Sequence, residues 1–196
     1  MDLVFHRIGQ REYATIVTRC DGVRFLVGGV GLKFAIPHDL AHLAIESALC
    51  LDRGFWGTIA AGGVFGSMTY LSGRRKPHAT ARSYDILKAN RGHVVEAEGL
   101  VAMFNSAFET GEGPTSLGLL KQLRDFAWTP PRSEPRVFDN SVICAAWRSW
   151  RQMQELWVQL PIGDQLQFVW SAEQRKGDRP RRWHGEPRPF AMFVAV

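Results

Sequence analysis

The sequence has few cysteines, and none of them stands in a Cys-x-x-Cys pair. The three thiols, Cys20, Cys50 and Cys144, lie far apart in a chain of 196 residues. An odd number of widely separated cysteines is not the pattern of a disulfide framework, and it fits reduced thiols in the cytoplasm. We therefore exclude a small disulfide-stapled secreted domain and expect a cytoplasmic protein.

Long apolar segments and nucleotide-binding motifs are also missing. No uninterrupted apolar run approaches the roughly 20 residues that a helix needs to cross a bilayer, so no membrane partner is expected. Residues 1–7 do not combine a basic region with a following apolar run, and we expect no signal peptide. The glycine-rich segment 28–31 matches neither common phosphate-loop spacing, which favours a simple turn there.

The overall composition is that of an ordinary globular chain. Hydrophobic residues make up 45% and charged residues 22% of the sequence, and the length suits a single domain covering 1–196. The net charge of +5 favours attraction to nucleic acid or other anionic ligands. The basic residues that would contact nucleic acid are Arg74, Arg75, Lys76, Arg181 and Arg182.

The distribution of apolar and β-branched residues predicts an α+β fold with an antiparallel sheet. Segments 3–8, 11–19 and 23–27 are the predicted strands of an N-terminal meander. The turns Gly9-Gln10 and Asp21-Gly22 separate them, and Asp-Gly is a strong hairpin signal because both residues tolerate positive φ. Further strands are expected near the C-terminus, at 166–170 and 190–196.

About four helices are predicted to pack on this sheet. Their apolar residues recur at steps of three and four, and capping or breaking residues mark their ends. The helices are expected at about 37–51, 92–110, 115–126 and 139–160. The connections are expected to be an apolar packing segment at 55–66, an exposed basic loop opening the segment 72–91, a proline-rich surface loop at 129–137, and a basic exposed loop or arm at 173–188.

The first predicted helix carries the residues that most resemble a functional site. At 100° per residue, His38, His42 and Glu46 fall within about 80° of one another, with Asp39 beside them. The rest of the circumference is apolar, which indicates a buried helix. Because unpaired buried polar groups are costly, the polar stripe is expected to face a cleft, a partner group or a ligand.

Two imidazoles one turn apart on a helix can direct ring nitrogens to one metal ion, so His38 and His42 are predicted metal ligands. Glu46 lies about 12 Å along the helix axis from His38, so we expect it either to orient the His42 ring or to be a metal ligand together with His42 only. Asp39 and Glu46 are the candidate catalytic residues, as base or orienter.

A third ligand has to come from another segment of the chain. His93 and Glu96, three residues apart on the second long helix, are the preferred pair of additional metal ligands. Further candidates are His78, Glu98 and His184. The expected cofactor is a divalent metal such as zinc.

An ordinary structural explanation stands beside this one. Asp39 is favourable in the first turn of any helix because of the helix dipole. His38 and His42 can hydrogen-bond backbone carbonyls, and Glu46 can pair with an arginine. These residues would then be satisfied polar groups without a ligand.

The segment His38-Asp39-Leu40-Ala41-His42 is similar to two known zinc motifs. It resembles the His-Glu-x-x-His helix of zinc peptidases, with aspartate in place of the general-base glutamate. It also resembles the His-Asp-x-x-His motif of a ubiquinone-biosynthesis family thought to bind zinc. That family is largely helical and has a glutamate twelve positions after the second histidine, where this chain has Gly54.

A longer resemblance covers most of the chain in order. The residues that carry it are Pro37-His38-Asp39-Leu40 with His42 and Glu46, Phe55-Trp56-Gly57 with Ala60-Ala61-Gly62, and Trp157 with Leu160-Pro161-Ile162-Gly163 and Trp170. Together they resemble a family of small uncharacterised bacterial proteins of about this length. The resemblance implies one small domain with a shared polar helix, and it implies no activity.

These observations leave three hypotheses about function. The first is a metal-dependent enzyme, in its generic form a hydrolase that uses a metal-activated water. The second is a module that binds nucleic acid through the basic segments. The third is a protein-interaction domain that uses the tryptophan-rich fourth helix or an exposed sheet face.

Overall fold

The computed structural model describes residues 1–28, 32, 35–125 and 138–171. In these parts of the chain there are five strands and five helices, so the predicted α+β class is confirmed. The strands are β1 (Asp2–Arg7), β2 (Tyr13–Thr18), β3 (Arg24–Val27), β4 (Met68–Ser72) and β5 (Gln165–Val169). The helices are α1 (His38–Ala48), α2 (Phe55–Ala61), α3 (Ala79–Glu109), α4 (Leu117–Asp125) and α5 (Asn140–Gln159).

All strand pairs of the sheet are antiparallel, in the order β4-β3-β2-β1-β5. The N-terminal meander is present, with Phe5 opposite Thr15 and Val17 opposite Phe25. The chain returns through β5, where Phe168 lies opposite Leu3. The inward side chains of these strands are buried because one sheet face is covered by helices.

The structure adds two elements that the sequence did not predict. The strand β4 lies at an edge of the sheet, and four of its five residues are exposed, so it lacks the alternation that marks a half-buried strand. The helix α2 has only seven residues and contains Gly57. A segment this short does not show enough apolar periodicity to distinguish a helix from an irregular apolar segment.

The third helix is longer than predicted, because it begins at Ala79 and not near residue 92. Its first half has no apolar stripe, and its inward contacts are partly polar. Asn90, which is buried, donates to Thr58 Oγ1 and accepts from Arg53 Nε. A helix that packs through polar contacts cannot be predicted from the spacing of apolar residues.

Three predictions fall on residues that the structure does not describe. These are the proline-rich surface loop at 129–137, the basic loop or arm at 173–188 and the strand at 190–196. Within the described ranges, no helix combines the length and apolar character needed to cross a membrane.

The helix α1 occupies the centre of the fold. It packs against α5, α3 and α2, and every residue from Asp39 to Glu46 is buried. Below it, Phe5 makes edge-to-face contacts with Trp56 and Phe168 at centroid distances of 6.0 and 5.8 Å. A helix surrounded in this way must satisfy each of its polar side chains within the protein.

Candidate metal centre

Two neighbouring helices bring three potential metal ligands together. His38 and His42 lie on α1, and Glu98 lies on α3. The Oε2 atom of Glu98 is 3.3 Å from Nε2 of His38 and 3.3 Å from Nε2 of His42. One ligand atom from each residue lies within 4.8 Å of the other two, so the group can hold a metal ion.

This group lies at the rim of the core. The side chain of His42 is fully buried, whereas those of His38 and Glu98 are 44% and 47% exposed. The difference arises because His38 is the first residue of α1 and His42 lies one turn further in. The group is therefore anchored in the core on one side and open to solvent on the other.

Glu46 fixes the orientation of the buried imidazole. Its Oε1 lies 2.8 Å from Nδ1 of His42, and its carboxylate also accepts backbone N–H groups from Phe55 at 2.8 Å and Trp56 at 3.1 Å. Each oxygen of this carboxylate accepts a backbone N–H group, so the carboxylate acts as a hydrogen-bond acceptor here. Nδ1 of His42 is therefore the donor to Glu46, and Nε2 is the atom available to a ligand.

Gly54 permits this close approach of Glu46 to the start of α2. A Cβ atom at position 54 would lie 2.6 Å from the carboxyl carbon of Glu46 and 2.7 Å from its Oε2. Any side chain there would displace the carboxylate. The position at which the ubiquinone-biosynthesis family has a glutamate thus serves a different purpose in this chain.

The Nε2 atom of His42 is buried and has no hydrogen-bond partner among the described residues. Its neighbour at 3.3 Å is a carboxylate oxygen, Oε2 of Glu98. In the neutral imidazole both atoms are acceptors, because Nδ1 carries the proton. A proton or a metal ion between them would remove the conflict.

The pKa values of the group follow from this crowding of charge. Burial lowers the pKa of His42, but the carboxylates of Glu46 and Glu98 outweigh it and raise that pKa to about 9. Burial raises the pKa of Glu98, but the close contacts of its carboxylate with the imidazoles of His38 and His42 outweigh burial, so the pKa of Glu98 is lowered. The two carboxylates thus stabilise a positive charge at His42.

Asp39 lies next to the group but turns toward the sheet. Its Oδ2 accepts a hydrogen bond from Thr15 Oγ1 at 3.1 Å, and its backbone oxygen accepts the indole N–H of Trp56 at 3.0 Å. Burial raises the pKa of Asp39 to about 6, against the opposing charges of His42 and His38. Asp39 therefore interacts with the two histidines through its charge, and it is not one of the potential ligands.

The structure does not bring His93 and Glu96 to the histidine pair. They lie together, with His93 Nδ1 3.6 Å from Glu96 Oε2, and line a shallow cleft with Asp52, Arg53 and Gly54. The third member of the group is instead Glu98, one of the further candidates from the sequence. Glu96 and Glu98 are about 200° apart on the helix, so only one of them can face α1.

The basic residues predicted to contact nucleic acid are described only in part. Arg74, Arg75 and Lys76 are exposed in the loop between β4 and α3, and His78 is the N-cap residue of that helix. Arg181 and Arg182, together with His184, lie outside the described residues.

No protein-family model matches this sequence, and searches of curated proteins and of solved structures find no match. The resemblances to zinc peptidases, to the ubiquinone-biosynthesis family and to the family of small bacterial proteins therefore stay predictions. The function has to be argued from the geometry of the site.

Proposed function

We propose that this protein binds one zinc ion through His38, His42 and Glu98 and uses it in a hydrolytic reaction. Two imidazole nitrogens and one carboxylate oxygen form a common ligand set of catalytic zinc. A zinc ion at such a site lowers the pKa of a bound water and so supplies a nucleophile near neutral pH.

The observation that carries the proposal is the state of His42. Its imidazole is fully buried, one nitrogen is fixed by Glu46, and the other has no hydrogen-bond partner among the described residues. A carboxylate that holds the far nitrogen of a histidine is the usual outer contact of a zinc-bound imidazole. Without a metal ion, the imidazole needs a second proton to satisfy the carboxylate of Glu98, and a bound metal ion would take the place of that proton.

The distances agree with a tetrahedral ion. Bonds of about 2.0–2.1 Å at tetrahedral angles place two ligand atoms about 3.3 Å apart. Oε2 of Glu98 is 3.3 Å from both histidine Nε2 atoms. These two distances between ligand atoms fit a single ion.

The exposed side of the group supports a catalytic ion over a structural one. Structural zinc sites have four protein ligands, whereas catalytic sites have three and leave a position for water or substrate. Among the residues that the structure describes the group has three members, and two of them, His38 and Glu98, are nearly half exposed. The remaining coordination position would face solvent.

Glu46 and Asp39 act on the ligands in this proposal. Glu46 holds the ring of His42 and increases its basicity through the Nδ1 contact. Asp39 adds negative charge beneath both imidazoles, which offsets the unfavourable dipole at the start of α1. Both are positioning residues, and neither is assigned to the reacting atoms.

Elemental analysis tests the proposal directly. The full chain is purified without a chelating tag, and zinc, iron, manganese and nickel are measured per protein molecule. We expect about one zinc ion per chain, and a loss of affinity of at least 10-fold in His42→Ala and in Glu98→Gln. His6→Ala removes an imidazole from β1 and is the matched control, with unchanged metal content.

Two results would contradict the proposal. One is protein that stays metal-free after zinc is added in excess and the unbound ion is removed. The other is metal content that falls equally in His6→Ala, because binding would then not be specific to this group. Loss of metal in His93→Ala would show that the ion binds at the cleft of His93 and Glu96 and not at the proposed group.

A further inference from the structure

An exposed stripe of side chains runs along α3 and ends at the proposed metal centre. Its members are spaced four or three residues apart and fall within about 80° of one another around the helix. They are Tyr84, Lys88, Arg91, Val95 and Glu98, and all five are exposed. At 1.5 Å per residue the stripe is about 21 Å long.

The stripe is positively charged at the end away from Glu98. Lys88 and Arg91 form no ion pair with any residue that the structure describes. The loop immediately before α3 adds Arg74, Arg75 and Lys76, all exposed. Asp85 is the single acidic residue in the segment 72–91. This end of the helix therefore attracts a chain of negative charges.

An aromatic ring lies among these cations. Tyr84 is 66% exposed and is the most exposed of the large hydrophobic side chains in the described residues. An exposed ring beside cations offers a stacking surface to an unpaired base, which a base in a duplex cannot use. An anionic membrane fits less well, since the apolar residues of α3, such as Leu100, Val101 and Phe104, are buried in the core.

From this juxtaposition we propose that the substrate of the metal centre is single-stranded nucleic acid, bound along α3 with one phosphodiester at His38, His42 and Glu98. The inference rests on the proposed function. At about 3.4 Å per stacked nucleotide, the stripe spans about six phosphates. Arg91 lies about 10 Å from Glu98 along the axis, so it would hold a phosphate about three nucleotides from the one that reacts.

The reaction is a hydrolysis and needs no oxidant or reductant. The oxygen of one water forms a bond to phosphorus, and the ester bond between phosphorus and the leaving oxygen breaks. The leaving oxygen takes one proton of the water, and the second goes to the new phosphate monoester or to solvent. The positive charge of the proposed ion would favour the extra negative charge at phosphorus.

The test measures binding of a fluorescein-labelled oligothymidylate to the full chain by anisotropy, in EDTA, from about 50 to about 200 mM salt. Because EDTA removes metal, this assay reports on the stripe alone. We expect Lys88→Ala/Arg91→Ala to weaken binding roughly 10- to 30-fold and to reduce the salt slope by about 1.4. Tyr84→Ala should weaken binding about 10-fold with the slope unchanged.

The control variant is Arg148→Ala, which removes an exposed arginine from α5 outside the stripe. The inference is overturned if the oligonucleotide does not bind at low salt, or if the control loses as much affinity as the double variant. It is also overturned if duplex DNA binds equally well with no effect of Tyr84→Ala, or if phosphatidylserine vesicles bind and the oligonucleotide does not.

Zinc loading of the same protein separates the two proposals. Zinc bound without oligonucleotide binding overturns this inference and leaves the metal centre intact. If the protein binds the oligonucleotide but does not take up added zinc, the proposed function is overturned. Zinc-loaded protein that binds the oligonucleotide but does not cleave it overturns the assignment as substrate, whereas cleavage that is lost in Glu98→Gln and slowed in Lys88→Ala/Arg91→Ala supports it.

Discussion

Gly54 and Glu46 are in contact, and a Cβ atom at residue 54 would lie 2.6 Å from the carboxyl carbon of Glu46. The contact exists because Glu46 accepts the first backbone N–H groups of α2, those of Phe55 and Trp56. Through this carboxylate, the start of α2 sets the position of the His42 ring. The short loop between α1 and α2 is therefore part of the proposed metal centre.

A methyl group at position 54 should disturb the site without touching a ligand. We expect Gly54→Ala to displace the Glu46 carboxylate, to lower zinc affinity about 10-fold and to destabilise the fold by about 1–2 kcal/mol. Zinc competition with a chromophoric chelator and denaturant unfolding measure the two effects. Gly66→Ala is the control, because no atom lies within 4 Å of a Cβ there; equal effects in both variants would refute the coupling.

Removing the charge of Glu46 should weaken metal binding further. In Glu46→Gln the amide nitrogen cannot accept the N–H groups that the carboxylate accepts, and the imidazole loses its carboxylate partner. We expect zinc affinity to fall 10- to 100-fold and the absorption spectrum of the cobalt-substituted protein to change. Glu155→Gln on the exposed face of α5 should change neither. An unaltered cobalt spectrum in Glu46→Gln would remove Glu46 from the site.

Metal binding should release protons, because His42 must give up a proton to become a ligand. Its pKa without metal is about 9, so it is largely protonated at pH 7.5. We expect about one proton released per zinc ion at that pH, and an affinity that rises with pH until about 9. Calorimetry in buffers of different ionisation enthalpy counts the protons. Zinc binding with no proton release would mean that His42 stays protonated and is not a ligand.

The stability of the metal-free protein should fall at alkaline pH. The pKa of His42 in the folded protein, about 9, lies above its usual value of about 6.5. Its contribution to the free energy of unfolding is therefore complete below pH 6.5 and is lost as the pH rises through 9, on the order of 3 kcal/mol. Urea unfolding at several pH values should show this loss in the wild type and in His6→Ala. The same loss in His42→Ala would assign it to another group.

The polar contact between α2 and α3 should contribute to stability. Asn90 is buried and forms hydrogen bonds with Thr58 and Arg53. In Asn90→Ala both of these hydrogen bonds are lost. We expect a loss of about 1–3 kcal/mol in the free energy of unfolding. The exposed Thr80, on the same helix, provides the control, since Thr80→Ala should change stability by less than about 0.5 kcal/mol. A similar change in both variants would contradict this role of Asn90.

The sequence by itself determined the local features of this protein. Periodicity placed β1, β2 and β3 in a meander, because alternating apolar residues and the Asp21-Gly22 turn depend only on neighbouring residues. Helical spacing put His38 and His42 on one face of α1 and separated Glu46 from His38 for the same reason. The contact of Glu46 with His42 agrees with that spacing.

Only the tertiary structure decided which residue completes the site. The apolar stripe of α3 passes through Ala97, and Glu96 and Glu98 flank it at about 100° on either side. Periodicity treats the two flanks alike, so the sequence could not tell which glutamate meets α1. The packing of α3 against α1 places Glu98 beside His38 and His42, and Glu96 beside His93. Contacts between distant segments depend on which side of each helix is covered, and that is a property of the whole fold.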